Sequence, residues 1–231
     1  MLQQHSIWPE WLKILMQNPL WGYMRGVNLG IWIALVAILL FIAGILLHRS
    51  RGGDIIPSQM WLFRSFALFF IFTACTYLSY MLAYNLEPFY NLFLTLGYTF
   101  GIISVIPIIA TIEKYILIRT RHVITIFTII LFGIALFVVI NPTYSPILRV
   151  ITQSSAPILG FVVLILYLIV IKNSTGSLRQ KAMMTLIGFI LIMVGMALDS
   201  ESIMKAGFPL IISPLVLFGG ALLVVWSQKR G

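Results

Sequence analysis

The chain has 231 residues, of which 61% are hydrophobic and only 9% charged, where a soluble domain carries roughly 45–50% and about 25%. The polar surface of a body this size cannot cover so much apolar side chain, so the composition excludes a soluble fold and points to an all-α, polytopic membrane protein. A single cysteine, Cys75, excludes an internal disulfide or a Cys-based zinc site, and six carboxylates with three histidines leave little for an acid–base or metal centre.

Residues 1–26 read as an amphipathic interfacial segment. Ile7, Trp8, Trp11, Leu12 and Leu15 recur at helical spacing, with Gln4, Glu10, Lys13 and Gln17 between them. Aromatic rings with polar tips favour the headgroup layer, so this segment is expected to lie on the outer surface.

A helix needs about 20 apolar residues to cross roughly 30 Å of hydrocarbon. By that measure residues 27–226 form a seven-helix transmembrane domain. The first span runs from Val27 to Leu47, and the second from about Trp61 to Ala83, with Arg64 snorkelling from its first turn. The third covers Phe89 to Ile112 and the fourth Val123 to Ile140. Asn141, Pro142, Ser145 and Pro146 then form a turn cluster, which separates the fourth span from the fifth. The fifth, Ala156 to Ile171, is short and is expected to borrow the more polar residues before it. The sixth is Ala182 to Leu198 and the seventh Phe208 to Trp226, followed by a short basic tail, 227–231.

The net charge of +9 is distributed as the flanks of such spans, not as a nucleic-acid-binding face. With alternating spans one side collects Arg49, Arg51, Arg64, Lys114, Arg119, Arg121, Lys172, Arg179, Lys181, Lys229 and Arg230. The other holds Lys13, Arg25, Arg149 and Lys205, alongside Glu10, Glu87, Asp199 and Glu201. The positive-inside rule then places the N-terminus outside and the C-terminus in the cytoplasm, in a cell membrane crossed several times.

Lipid tails are as apolar as leucine, so helices in a bilayer associate by close packing and hydrogen bonds. Gly97 and Gly101, Gly188 and Gly195, and Gly219 and Gly220 offer notches for that packing. Pro107, Pro157 and Pro214 fall inside spans and are expected to free backbone carbonyls.

The most informative polar pattern is in the second span. At 100° per residue Thr73, Thr76, Tyr77, Tyr80 and Tyr84 fall within one sector of roughly 100°. The third span answers with Asn91, Thr95 and Tyr98, near the same outer half. Unpartnered hydroxyls and amides in hydrocarbon cost several kcal/mol each, so these faces are expected to point into the bundle. Two readings follow: hydrogen-bonded glue between helices, or the wall of a pocket for a small or lipid-like ligand between the second, third, fifth, sixth and seventh spans, open to the outside. Glu87, Gln153 and Asp199 are candidates for a polar vestibule above it. No span centre carries an ionisable residue and no lysine lies within a span, which disfavours ion-coupled transport and a retinal attachment. No catalytic residue, metal site or cofactor is expected, and the chain is not read as an enzyme.

The layout resembles the seven-helix membrane input module of bacterial and archaeal sensor histidine kinases. The likeness rests on an outer N-terminus and on Glu113-Lys114-Tyr115 before the basic Arg119 and Arg121. It continues through Gly188 to Asp199, Pro209, Ser213-Pro214 and Gly219-Gly220. Such modules continue into a cytoplasmic coiled coil and kinase, whereas this chain stops at Gly231. The resemblance therefore implies a detached sensor that signals through a membrane or cytoplasmic partner. Two alternatives stand beside it. One is a small-solute facilitator of three helices, a linker helix and three helices, for which no internal repeat is visible. The other is a non-enzymatic scaffold or assembly subunit, in which Tyr77, Tyr80 and Tyr84 pack without a void.

Overall fold

The structure, a computed structural model, describes residues 26–52, 56–140, 146–198 and 211–228. These form seven α-helices: α1 Gly26–Arg49, α2 Pro57–Asn85, α3 Tyr90–Tyr115, α4 Val123–Ile140, α5 Pro146–Asn173, α6 Gly176–Leu198 and α7 Ile212–Ser227. Short 3-10 turns, Glu87–Phe89 and Ile118–Thr120, lead into α3 and α4. Helices are what a bilayer permits, because every backbone amide and carbonyl is satisfied within the segment. Six of the seven are long and apolar enough to cross a membrane, so this is a multi-pass membrane protein. The seventh, α7, has 16 residues and so spans about 24 Å. The expected interfacial segment 1–26 (apart from Gly26 itself), the start of the expected seventh span at 208–210 and the basic tail beyond Gln228 lie outside the described residues.

Several helices begin earlier than the apolar runs. Pro57 opens α2, where a missing N–H costs nothing, and Ser58 and Gln59 join its first turn. The fifth span does borrow its polar approach: α5 starts at Pro146 and takes in Thr152 and Ser155. Gly176 starts α6 at φ +57°, a left-handed conformation that suits glycine. Hydrophobicity marks the part of a helix inside hydrocarbon, while the helix itself continues into the headgroup layer. Pro107 and Pro157 are inside α3 and α5 as expected. Pro214 instead occupies the first turn of α7, where its missing donor is one of the unpaired helix-start amides and frees no carbonyl.

Sequential helices pack antiparallel. Around the bundle the order is α1, α2, α3, α5, α6 and α7, with α7 returning to touch α1 and α4 set outside against α3 and α5. Accordingly α2 is the most buried span and α4 the least; Ile126, Phe127, Ile130 and Phe137 of α4 face outward. Phe189 of α6 sits in the middle, its ring 5.2 and 6.0 Å from Phe69 and Phe66 of α2 and 5.5 Å from Tyr167 of α5.

Backbone meets backbone between α6 and α7. A Cβ on Gly220 would stand 2.6 Å from the Gly188 carbonyl oxygen, and one on Gly195 3.0 Å from the Leu217 amide. The notch therefore uses Gly188, Gly195 and Gly220, whereas Gly219 faces open space. Hydrogen bonds clasp both ends of the pair. The Ser213 hydroxyl donates to the Gly195 carbonyl at 2.9 Å, and the Thr185 and Ser227 hydroxyls meet at 2.7 Å. Between α2 and α3 the buried Ser65 and Thr111 hydroxyls lie 2.6 Å apart.

Glu113 places α4. Its side chain is 1% exposed, and its carboxylate accepts from the amides of Ile124 at 3.1 Å and Thr125 at 2.7 Å and from the Thr125 hydroxyl. A carboxylate at the positive end of a helix, on amides that have no partner within that helix, is a favourable arrangement. The turn that delivers α4 to it passes through Arg121 at φ 45° and His122 at φ 65°.

Candidate functional site

The polar sector of α2 does turn inward. Thr73, Thr76 and Tyr77 are buried, and Tyr80 and Tyr84 are half-buried. Across from them on α3, Thr95 is buried and Tyr98 half-buried, while Asn91 is exposed. The stripe thus runs from a closed interior at Thr73 to an open edge at Tyr84 and Asn91. Thr73 is twelve residues before the end of α2 at Asn85, about 18 Å along the axis and so near mid-bilayer.

An aromatic chain lines this region. The Trp32 indole of α1 stacks on Tyr77, with centroids 4.7 Å apart and planes 26° apart. Tyr77 meets Tyr80 edge-on at 6.0 Å, and Tyr80 meets Tyr98 at 5.8 Å. Nearer the open edge Tyr84 and Tyr90 form another edge-on pair at 5.6 Å. Such geometry matches the preference of ring quadrupoles for offset and T-shaped pairs. Tyr80 can lie this close to α3 because Gly97 leaves room: a Cβ there would fall 2.3 Å from the ring's Cε1. Gly97 thus seats a side chain, not a neighbouring backbone.

The threonines settle their hydroxyls locally. Thr76 donates to the Phe72 carbonyl at 3.0 Å, Thr95 to that of Asn91 at 2.7 Å, and Thr99 to that of Thr95 at 2.9 Å. Each is the carbonyl four residues back, a bond that a helical threonine makes without help from another helix. Thr73 differs. Its Oγ1 is buried and has no hydrogen-bond partner. Serine and threonine bonds that tie helices together lie elsewhere, among them Ser65–Thr111, Thr125–Glu113, Ser213–Gly195 and Thr185–Ser227.

Trp32 and Gly97 complete the site and were not among the residues of the predicted stripe. Trp32 had a usable signal, being the one aromatic with a polar tip inside the first apolar run; the face it occupies depends on how α1 rotates against α2. Of the expected vestibule, Asp199 and the side chains of Glu87 and Gln153 lie outside the described residues. Comparison of the chain with protein families, with curated proteins and with solved structures finds no match.

Proposed function

We propose that this multi-pass protein is receptor-like: it takes a small or lipid-like ligand between α1, α2 and α3 and acts through a partner. The observation that carries this reading is the buried, unpartnered Thr73 hydroxyl at the closed end of a stripe whose walls are tyrosines. Near mid-bilayer such a hydroxyl costs about 1–3 kcal/mol unless something bonds to it. A ligand with an apolar body and one polar group answers that need, with Tyr80, Tyr84 and Tyr98 lining its path and Thr73 at its polar end. The stripe lies in the half of the bundle away from Arg49, Arg64, Lys114 and Arg121, and the positive-inside rule makes that half the outer one, in the cytoplasmic membrane.

Thiol accessibility tests this. In a Cys75-free background, Tyr84→Cys, Tyr98→Cys and Thr73→Cys are to be treated with a small, membrane-impermeant thiol reagent on intact cells. The expected result is fast labelling at 84 and 98 and slower but complete labelling at 73. Labelling confined to reagent admitted from the cytoplasm, or none at 73 and 98, refutes the outward pocket.

The scaffold-subunit reading has its own support. Tyr77 is 1% exposed and stacked on Trp32, and Tyr80 fills the space over Gly97. A protein built only for assembly predicts that none of the three cysteines is labelled, and that a larger membrane complex is isolated intact with this chain in it.

A further inference from the structure

We infer that the basic end of the bundle binds the phosphate of an anionic phospholipid, held by Arg64 of α2 and Lys114 of α3 beside the ring of Trp61. The Lys114 Nζ lies 5.2 Å from the Trp61 ring centroid and the Arg64 Cζ 5.7 Å from it. Two cations from different helices therefore converge on one indole. Each gains from the ring's quadrupole, but they repel each other. Among the described residues the one carboxylate on this end is Glu113, and that is turned away, buried on the first turn of α4; Asp54, in the loop between α1 and α2, lies outside the described residues.

Arg51, Arg121, Lys172, Arg179 and Lys181 add positive potential at the same end, which concentrates anions there. The Arg49 Nη1 is also buried at this end without an acceptor. A lipid, as opposed to a soluble anion, follows from what flanks the cations. Trp61 is 42% exposed, and Ile56, Ile116 and Ile118, at the same end of α2 and α3, stand 61%, 42% and 73% exposed. An anion whose body is two acyl chains covers those side chains, while free phosphate leaves them bare.

The test uses the full chain in detergent, titrated separately with phosphatidylglycerol and phosphatidylcholine, with bound lipid counted by native mass spectrometry. The double variant Arg64→Gln/Lys114→Gln is expected to weaken phosphatidylglycerol retention at least about thirtyfold, through the loss of two charge-assisted hydrogen bonds to one phosphate. Phosphatidylcholine retention is expected to stay unchanged. The same charge change on α6, Arg179→Gln/Lys181→Gln, costs no more than about threefold, and the charge-keeping Arg64→Lys/Lys114→Arg retains binding. Trp61→Leu leaves both cations and loses about fivefold, which keeps the proposal testable if the double variant does not fold. Equal losses from the α2–α3 and α6 doubles overturn the proposal, since the attraction is then diffuse. Inorganic phosphate that competes as well as the lipid overturns the choice of ligand. Undiminished retention in the double variant and in Trp61→Leu overturns the site.

Discussion

Gly188 and Gly220 touch backbone to backbone: a Cβ built on either falls 2.8 or 2.6 Å from the other's carbonyl oxygen. In a bilayer no hydrophobic force presses helices together, so close packing and the hydrogen bonds around it hold α6 to α7. Gly220→Ala or Gly188→Ala forces the pair apart and is expected to cost about 1–3 kcal/mol. Gly219→Ala, one residue away but facing open space, adds a better helix former without a clash and is expected to be neutral or slightly stabilising. Thermal unfolding of the three variants in one detergent separates the two outcomes.

The Tyr80–Gly97 seat makes a second, reciprocal prediction. Gly97→Ala collides with the Tyr80 ring and is expected to destabilise by about 1–3 kcal/mol. With the ring removed, in Tyr80→Ala/Gly97→Ala, the added methyl meets no ring. The double-mutant cycle should then give a coupling of at least about 1 kcal/mol. Additive effects would falsify the contact.

Thr73→Val replaces the unpartnered hydroxyl by an apolar group of the same shape. The ligand-free protein is expected to gain about 1 kcal/mol or more, because an unsatisfied buried donor disappears. Thr76→Val and Thr95→Val, which lose real bonds to their own helices, are expected to gain nothing. A Thr73→Val protein that melts earlier than its parent shows that Thr73 does have a partner, and with it the argument for a ligand there falls.

Glu113→Ala withdraws the acceptor from the first turn of α4 and is expected to cost about 1–3 kcal/mol. The amides of Ile124 and Thr125 should then exchange hydrogen faster, while those of α6 remain as they were. His122→Gly acts in the opposite sense. Its φ of 65° costs an L-residue about 1–2 kcal/mol, part of which glycine loses again by making the unfolded chain more flexible. A shift between zero and about +1 kcal/mol is expected.

Glu113 also shows where reading the chain falls short. The run Glu113-Lys114-Tyr115 reads as an adjacent charge pair at a helix end, yet the two side chains separate. The carboxylate turns in to α4, eleven residues on, and the ammonium turns out to Trp61. Adjacent residues on a helix point about 100° apart, so sequence neighbours are poor candidates for partners. The polar stripe of α2 was legible for the same reason: residues three, four and seven apart share a face, and five of them were polar in an apolar run.

What the sequence by itself determined was the environment, the all-helical class, the seven helices and the side of α2 that must avoid lipid. These depend on local quantities, hydrophobicity along the chain and angular spacing around one helix, which physics reads without knowing the neighbours. Only the tertiary structure decided that Trp32 covers Tyr77, that Gly97 seats Tyr80, that Thr73 alone among the stripe's threonines is left without an acceptor, and that Gly220 and not Gly219 meets α6. Those outcomes depend on how each helix rotates and slides against the next. In lipid that choice rests on differences in packing of a kcal/mol or two, summed over the whole bundle.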